Sequence, residues 1–545
     1  MAADNPSSFE SITNAYLAYL YEAEPVMATQ MGVHDFDDRL PDRTRHALDE
    51  RLRKSRAYLH EIDNLSVADL SMEQRLDYRI ARANTQWSVV QLEQSNPWFR
   101  EPGRYIEEAL SGLFYLMLDS GSDLTMRAES LASRLKTIPR LLSQAHDNLS
   151  SAPIEFTEAG LEAVAGAAPF LQEAVSGFAA QVEEAGLRRE IETAQEKALI
   201  AVHGFGEHVR TASDSSSDFA IGSDLFNYAL RVYHMMDDTP DDLEEIGRQS
   251  IEQAKSDLRR LAAQVHPTKD WESIAAELKK DHPAADELVS TYHNEMRRAR
   301  EFVRVNGLVT LPEDETLAVI ETPTFQRSLY PYAAYMPAGP FEERQHAHFW
   351  VTPIDGSKPA DVQESQLQGH SQHGIAVIAL HEAYPGHHLQ FTIANRVESR
   401  YRRHFADSNL FIEGWALYCE EMMYETGFYT DPRARLLQAK AQLWRACRVV
   451  IDVGLHTRKM SPQQAVQFLV NEARLEEVAA RAEVRRYCLS PTQPMTYVMG
   501  RRAIMDIRRQ AERRLGSRFN LRQFHDDLLS HGPIQPRLLR EALEV

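Results

Sequence analysis

The chain has 545 residues, enough for more than one hydrophobic core, since single cores rarely grow past about 250–300 residues. Hydrophobic residues make up 43% and charged residues 26%, an ordinary globular balance. The net charge of −20 argues against nucleic acid or an anionic membrane as a partner, because both call for basic surface. The longest apolar runs, 113–118 and 375–380, fall far short of the roughly 20 residues a membrane span needs.

Along the chain, the first 25 residues lack a basic start followed by an apolar stretch, so no secretory signal is read. Segments 44–65, 74–94, 123–148 and 241–265 carry apolar residues at three- and four-residue spacing with charges between them, which predicts amphipathic helices. Breakers separate them: Pro41-Asp42, Asn96-Pro97, Ala152-Pro153, the Ser/Asp-rich stretch 213–218 and His266-Pro267. Between about 305 and 353 the pattern turns β-rich, in VNGLVTLP, LAVIETP and HAHFWVTP, and predicts two to four strands of a small sheet. Helical patterning returns near 369 and runs almost to the end. The expected organisation is a helical N-terminal lobe over 1–304 and a catalytic lobe over 305–545. The latter holds the sheet at 305–353 and metal-binding helices at 369–545. The three cysteines (Cys419, Cys447, Cys488) form no C-x-x-C pair, which points to buried thiols in a reducing, cytoplasmic setting.

Histidine is unevenly spread. Seven of the 21 lie between His346 and His388, where an even spread would place fewer than two. Imidazole is the commonest protein ligand of transition metals, so the cluster points to a metal or acid–base site. Within it lies GIAVIALHEAYPGHHLQ, whose apolar run delivers His381 and Glu382 into the interior. A buried His–Glu pair is costly unless a metal or partner compensates it. The zinc-peptidase pattern H-E-x-x-H sets two histidines one helical turn apart, with the glutamate as base. Here the interval is longer. On a straight helix His387 would sit about 9 Å along the axis and some 240° around from His381, and His388 about 10.5 Å away. Neither could share an ion with ligand distances of about 2.0–2.1 Å. Pro385 and Gly386 break the helix, however. Looping out two residues brings in His387, and looping out three brings in His388; His387 is the preferred second ligand, with the other histidine behind it or facing substrate.

A third ligand is expected from NLFIEGWALYCEEMMYE. Glu413 lies far enough beyond His387 for a helix, a turn and a return helix, and Glu420 shares its face seven residues on. Glu413 is the expected ligand, and Glu420 the expected orienting partner of a ligating histidine. The alternative is a pair of solvated acids on an exposed face.

HEAYPGHHLQ, EGWALYCE, RACRVVIDVGLH and EVRRYCLSPTQPMTYVMGR together resemble the bacterial domain of unknown function 885 family over essentially the full length. That family is in turn similar to the helical gluzincin peptidases of the carboxypeptidase Taq and angiotensin-converting-enzyme-like group. The resemblance implies a mainly α, two-lobed fold with a deep central cleft and a small β-sheet beside the active-site helix. It also implies His381, His387 and Glu413 as metal ligands and Glu382 as base. Helical gluzincins stabilise the tetrahedral oxyanion with a late tyrosine and histidine, which makes Tyr497 and His456 the candidates; Asp452 lies one turn before His456. Arg448, Arg486, Arg501 and Arg502 are candidates for a carboxylate clamp, with no choice among them.

The expected function is zinc-dependent hydrolysis of peptide or amide bonds, with other divalent transition metals left open by a His₂Glu set. An extended substrate is expected along the sheet edge near His346–Val351. Two rival readings are a metalloenzyme acting on an amide-containing metabolite, and a non-catalytic, metal-stabilised binding protein. Oligomeric state and exo- versus endo-cleavage are left unassigned.

Overall fold

The computed structural model describes residues 8–118, 121, 123–149, 151–212, 218–323, 327, 330 and 332–545. Residues 213–217 of the Ser/Asp-rich breaker and the first seven residues of the N-terminal stretch lie outside that set. The architecture is mainly α, 71% helix with one small three-stranded sheet. The four predicted helices form within one or two residues of the expected ends, and each starts on a side chain suited to it. Thr44 caps Arg45–Asp63, Ser71 forms a reciprocal capping box with Gln74 ahead of Met72–Gln94, and Asp123 caps Leu124–Asn148. Thr239 and Asp242 do the same for Pro240–Val265, with proline at its first position. Among the described residues no helix is long and apolar enough to cross a membrane.

The sheet consists of β1 (Thr316–Glu321), β2 (Ala333–Met336) and β3 (His346–Val351) in the order β1-β3-β2, with β1 parallel and β2 antiparallel to β3. Two expectations are corrected here. VNGLVTLP is not a strand. The helix Leu288–Asn306 runs into it and stops where Gly307 takes the left-handed conformation (φ 58°) that closes a helix without a Cβ penalty. The histidine-bearing strand His346–Val351 is also the middle one, so its backbone groups are spent on β1 and β2 and cannot accept a substrate strand.

Contacts divide the chain after Phe219 rather than near residue 304. One compact unit runs up to Phe219 and takes in Ala338–Arg344. The other holds Ala220–Pro323, β2 and Gln345–Val545. The physical reason is that three helices before the sheet pack on the helices after it. Pro240–Val265 and Trp271–Leu278 lie on Pro432–His456, and Leu288–Asn306 lies on Gln372–Glu382 and the sheet. A Cβ on Gly247 would come within 2.8 Å of Val450, which shows how closely the first of these pairs approaches. Phe226, Leu230, Leu243, Leu410, Val449, Val453, Met495, Val498 and Met499 form a buried core beneath this arrangement.

Candidate metal centre

The helix Gln372–Glu382 is apolar on nearly every side, as a helix buried all round must be. It ends at Glu382, and a new helix, His387–Ala394, starts on His387. Across the break the backbone bonds lengthen from the helical four-residue step to six: Gly386 N–H donates to the Leu380 carbonyl (3.1 Å) and Leu389 N–H to that of Ala383 (3.3 Å). Two residues are thus looped out. Trp415 Nε1, on the helix Asn409–Glu425, donates to the Pro385 carbonyl (2.9 Å) and pins the loop. Only glycine fits at 386, where a Cβ would lie 1.8 Å from the His381 carbonyl oxygen.

The outcome is that His381 and His387 meet edge to face, with ring centroids 4.9 Å apart. Nε2 of His381 lies 3.9 Å, and Nε2 of His387 3.5 Å, from Oε2 of Glu413. Ligand atoms of these three residues all lie within 4.8 Å of one another, the single such group among the described residues. Three ligands at 2.0–2.1 Å from a tetrahedral ion would stand about 3.3–3.4 Å apart, so the group would have to close, by up to about 1.5 Å at its widest, to seat zinc. The outer nitrogens are turned away from that point. Nδ1 of His381 donates to Glu420 (2.8 Å), and Nδ1 of His387 faces the Gln390 amide oxygen (3.5 Å), which leaves both Nε2 atoms facing Glu413.

Glu413 and Tyr497 are brought together by two glycines. The helices Asn409–Glu425 and Thr496–Leu515 touch backbone to backbone, and a Cβ on Gly500 would lie 1.8 Å from the Leu410 carbonyl oxygen and 2.8 Å from Gly414 Cα. Tyr497, one turn before Gly500, faces Glu413 closely enough to help hold its carboxyl down. Burial alone would raise the Glu413 pKa, but the hydrogen bond and charge of His387, the charge of His381 and the Tyr497 hydroxyl hold it at about 2. Burial works to lower His387, and Glu413 with Glu382 raises it on balance. The Glu382 carboxylate is within electrostatic reach of His387 and of the Tyr292 and Tyr335 hydroxyls.

The remaining expected residues divide. Glu420 is fully buried, receives His381, and faces Arg445 at 3.3 Å. Arg448 stacks on Tyr497 (4.8 Å to the ring centroid) and donates to the Tyr487 hydroxyl (3.0 Å). Arg501 lies 3.9 Å from Glu421, whereas Arg502 is exposed, and so is Arg486, which pairs with Glu483 at 2.8 Å. His388 is not aimed at the triad: its Nε2 donates to Glu315 (2.7 Å) and its Nδ1 meets Tyr335 (3.3 Å). His456 makes contacts of its own. Its Nε2 donates to the Tyr487 carbonyl (3.0 Å) and its ring stacks on Phe226, so it braces two helices. Asp452 supports the site indirectly. It accepts the Thr492 and Met495 N–H groups (3.0 and 3.2 Å) and so shapes the turn that starts the Tyr497 helix.

The other clustered histidines have separate partners: His370 meets Tyr292, His373 meets Asp281, and His346 meets Thr316. Sequence reasoning missed Glu315 and Arg445. Arg445 was legible, being one helical turn before Arg448 in RACR. Glu315 carried no signal beyond an acid placed just before a strand.

No curated protein matches the chain. Two solved structures share its fold. One is a protein of unknown function from Shewanella oneidensis, 22% identical, covering 99% of this chain and 100% of its own, with a TM-score of 0.81. The other comes from Colwellia psychrerythraea, 18% identical, covering 98% of each chain, with a TM-score of 0.83; both are provisionally classed as lipoproteins. Residues 25–543 match the model of a single family, and the chain belongs to it: Bacterial protein of unknown function (DUF885).

Proposed function

We propose that this protein is a zinc-dependent hydrolase of peptide or amide bonds, similar in its chemistry to the gluzincin peptidases. The observation that carries the reading is the convergence of two imidazole Nε2 atoms on one oxygen of Glu413 (3.9 and 3.5 Å), with the opposite ring nitrogens engaged by Glu420 and Gln390. His381, His387 and Glu413 would hold the ion. Zinc in a three-ligand protein site supplies Lewis acidity, lowering the pKa of water toward about 7 and polarising a carbonyl. Glu382, at the end of the His381 helix, takes the proton of the attacking water and passes it to the leaving amine. Tyr497 donates a hydrogen bond to the developing oxyanion, and Arg448 stacked on its ring limits where that hydroxyl can point. An extended substrate would pair with the free edge of β2 rather than with β3. The three buried cysteines, none of them in a disulfide, support a cytoplasmic location as part of the same proposal.

A scaffold role for the metal is the less favoured reading, because structural zinc sites use four protein ligands and this group has three. The test is Glu382→Gln assayed with a peptide mixture alongside elemental analysis. The expected result is wild-type zinc content with turnover abolished. Cleavage by a zinc-replete E382Q protein would remove the base from the mechanism, and a wild-type protein that takes up no metal would remove the reading altogether.

A further inference from the structure

Two tyrosine hydroxyls lie within electrostatic reach of Glu382, and each meets a buried imidazole: Tyr292 that of His370 (3.2 Å) and Tyr335 that of His388 (3.3 Å). They differ in access. Tyr292 is fully enclosed, packed against Phe349, whereas Tyr335 stands on β2 and keeps part of its surface open. The imidazole behind Tyr335 is that of His388, the residue immediately after the expected ligand His387. On its far side Glu315 accepts Nε2–H at 2.7 Å, and Glu315 is itself held by Arg300 Nε (2.9 Å) and the Tyr384 hydroxyl.

The order is therefore carboxylate, imidazole, phenol. With donors on every side Glu315 stays a carboxylate, so Nε2 of His388 carries the hydrogen and Nδ1 is left to accept from Tyr335. At 3.3 Å that last bond is longer than a strong hydrogen bond, and the hydroxyl can exchange it for a better acceptor at little cost. A buried carboxylate–imidazole pair is an expensive way to fill space that apolar side chains would fill as well. Neither the triad nor the Glu382 step uses it.

We propose that Tyr335 is a catalytic residue, donating a hydrogen bond from the β2 side to an oxygen of the ligand seated at His381, His387 and Glu413, with His388 and Glu315 as positioning residues. This rests on the metal-site reading above and adds to it a second donor, from an element other than the Tyr497 helix.

The test needs no substrate. Acetohydroxamate, a small oxygen ligand for zinc, is titrated into the full-length, zinc-loaded protein by calorimetry, with zinc content and melting temperature measured in parallel. Tyr335→Phe is expected to weaken hydroxamate binding about tenfold to a hundredfold, as the loss of one hydrogen bond to a charged ligand does, with zinc content and melting unchanged. Tyr292→Phe is expected to bind as wild type. Glu315→Gln is expected to weaken binding in the wild-type background and to have no further effect in a Y335F background, since it acts through the phenol. Wild-type affinity in zinc-loaded Y335F overturns the inference alone. So does loss of zinc from Y335F, which would make the hydroxyl part of the scaffold, and so does an equal loss in Y292F. A wild-type protein that binds no zinc overturns the parent reading and this inference together.

Discussion

Gly386→Ala tests the device on which the site depends. A Cβ there would stand 1.8 Å from the His381 carbonyl oxygen and 2.5 Å from that of Leu380. Carbon and oxygen normally approach no closer than about 3.3 Å, so the loop must move by about 1.5 Å at this point. The obstructing atoms are backbone on the ligand's own helix, and no side chain can swing away to relieve them. His387 is the next residue, and its Nε2 now stands 3.5 Å from Glu413. Bound ligand–metal distances hold to about 0.2 Å, so His387 would have to undo a displacement several times larger to reach the ion. Losing an orienting partner alone costs about 10- to 100-fold in metal affinity, so displacing the ligand itself is expected to cost more than about 100-fold. The assay is zinc affinity by competition with a chromophoric chelator, read beside helix content by circular dichroism. A folded G386A protein that binds zinc as tightly as wild type would refute the claim that this two-residue loop sets the ligand geometry.

Two further outcomes follow from the groups behind the ligands. Glu420→Gln removes the charge that orients His381 and leaves Arg445 without its carboxylate, and zinc affinity in the same competition assay is expected to drop about 10- to 100-fold; unchanged affinity would exclude Glu420 as the orienting group. Burial pushes the Asp452 carboxyl up to about 8, against the lowering effect of the Thr492 and Met495 N–H groups. A carboxyl whose folded pKa lies above its unfolded value, about 3.9, binds more protons folded than unfolded, so it destabilises the fold as pH rises from about 4 to 8, with a limiting slope near 1.4 kcal/mol per unit. Denaturant melts at pH 5 and pH 8 should therefore show the wild type losing stability relative to Asp452→Asn across that window; parallel profiles would contradict it.

How much of this was readable in advance depends on the range of the interaction. Helices announced by periodicity between breakers, such as Met72–Gln94 and Pro240–Val265, formed where the sequence placed them, because their determinants lie within a few residues of one another. The strand expected in VNGLVTLP did not form, because short apolar runs do not distinguish a strand from the end of a helix, and the helix from Leu288 reached it first. β2 was not singled out by its sequence, since four residues between loops carry too little pattern. The two compact units were not legible in the sequence for a related reason. Amphipathic periodicity says that a helix has a partner and does not say which, so the packing of Pro240–Val265 on Pro432–His456 was invisible along the chain.

At the candidate site the same distinction separates residues within one motif. His381, Glu382 and His387 were legible because a Pro-Gly break in an apolar helix has few geometric outcomes, and the two-residue loop is among them. His388 was equally prominent in the sequence, and what sends it elsewhere is Glu315, a distant acid placed at the mouth of β1 and locked by Arg300 and Tyr384. Asp452 and His456 show the same competition. A histidine four residues after an aspartate on a helix suggests a functional pair, yet Asp452 turns to the backbone of Thr492 and Met495 while His456 turns to the Tyr487 carbonyl. In both cases a polar side chain buried near the site is satisfied by whichever complementary group the fold brings closest. Ligand spacing along one helix can be computed from sequence, but competition among buried acceptors can be judged only once the sheet and the late helices are in place.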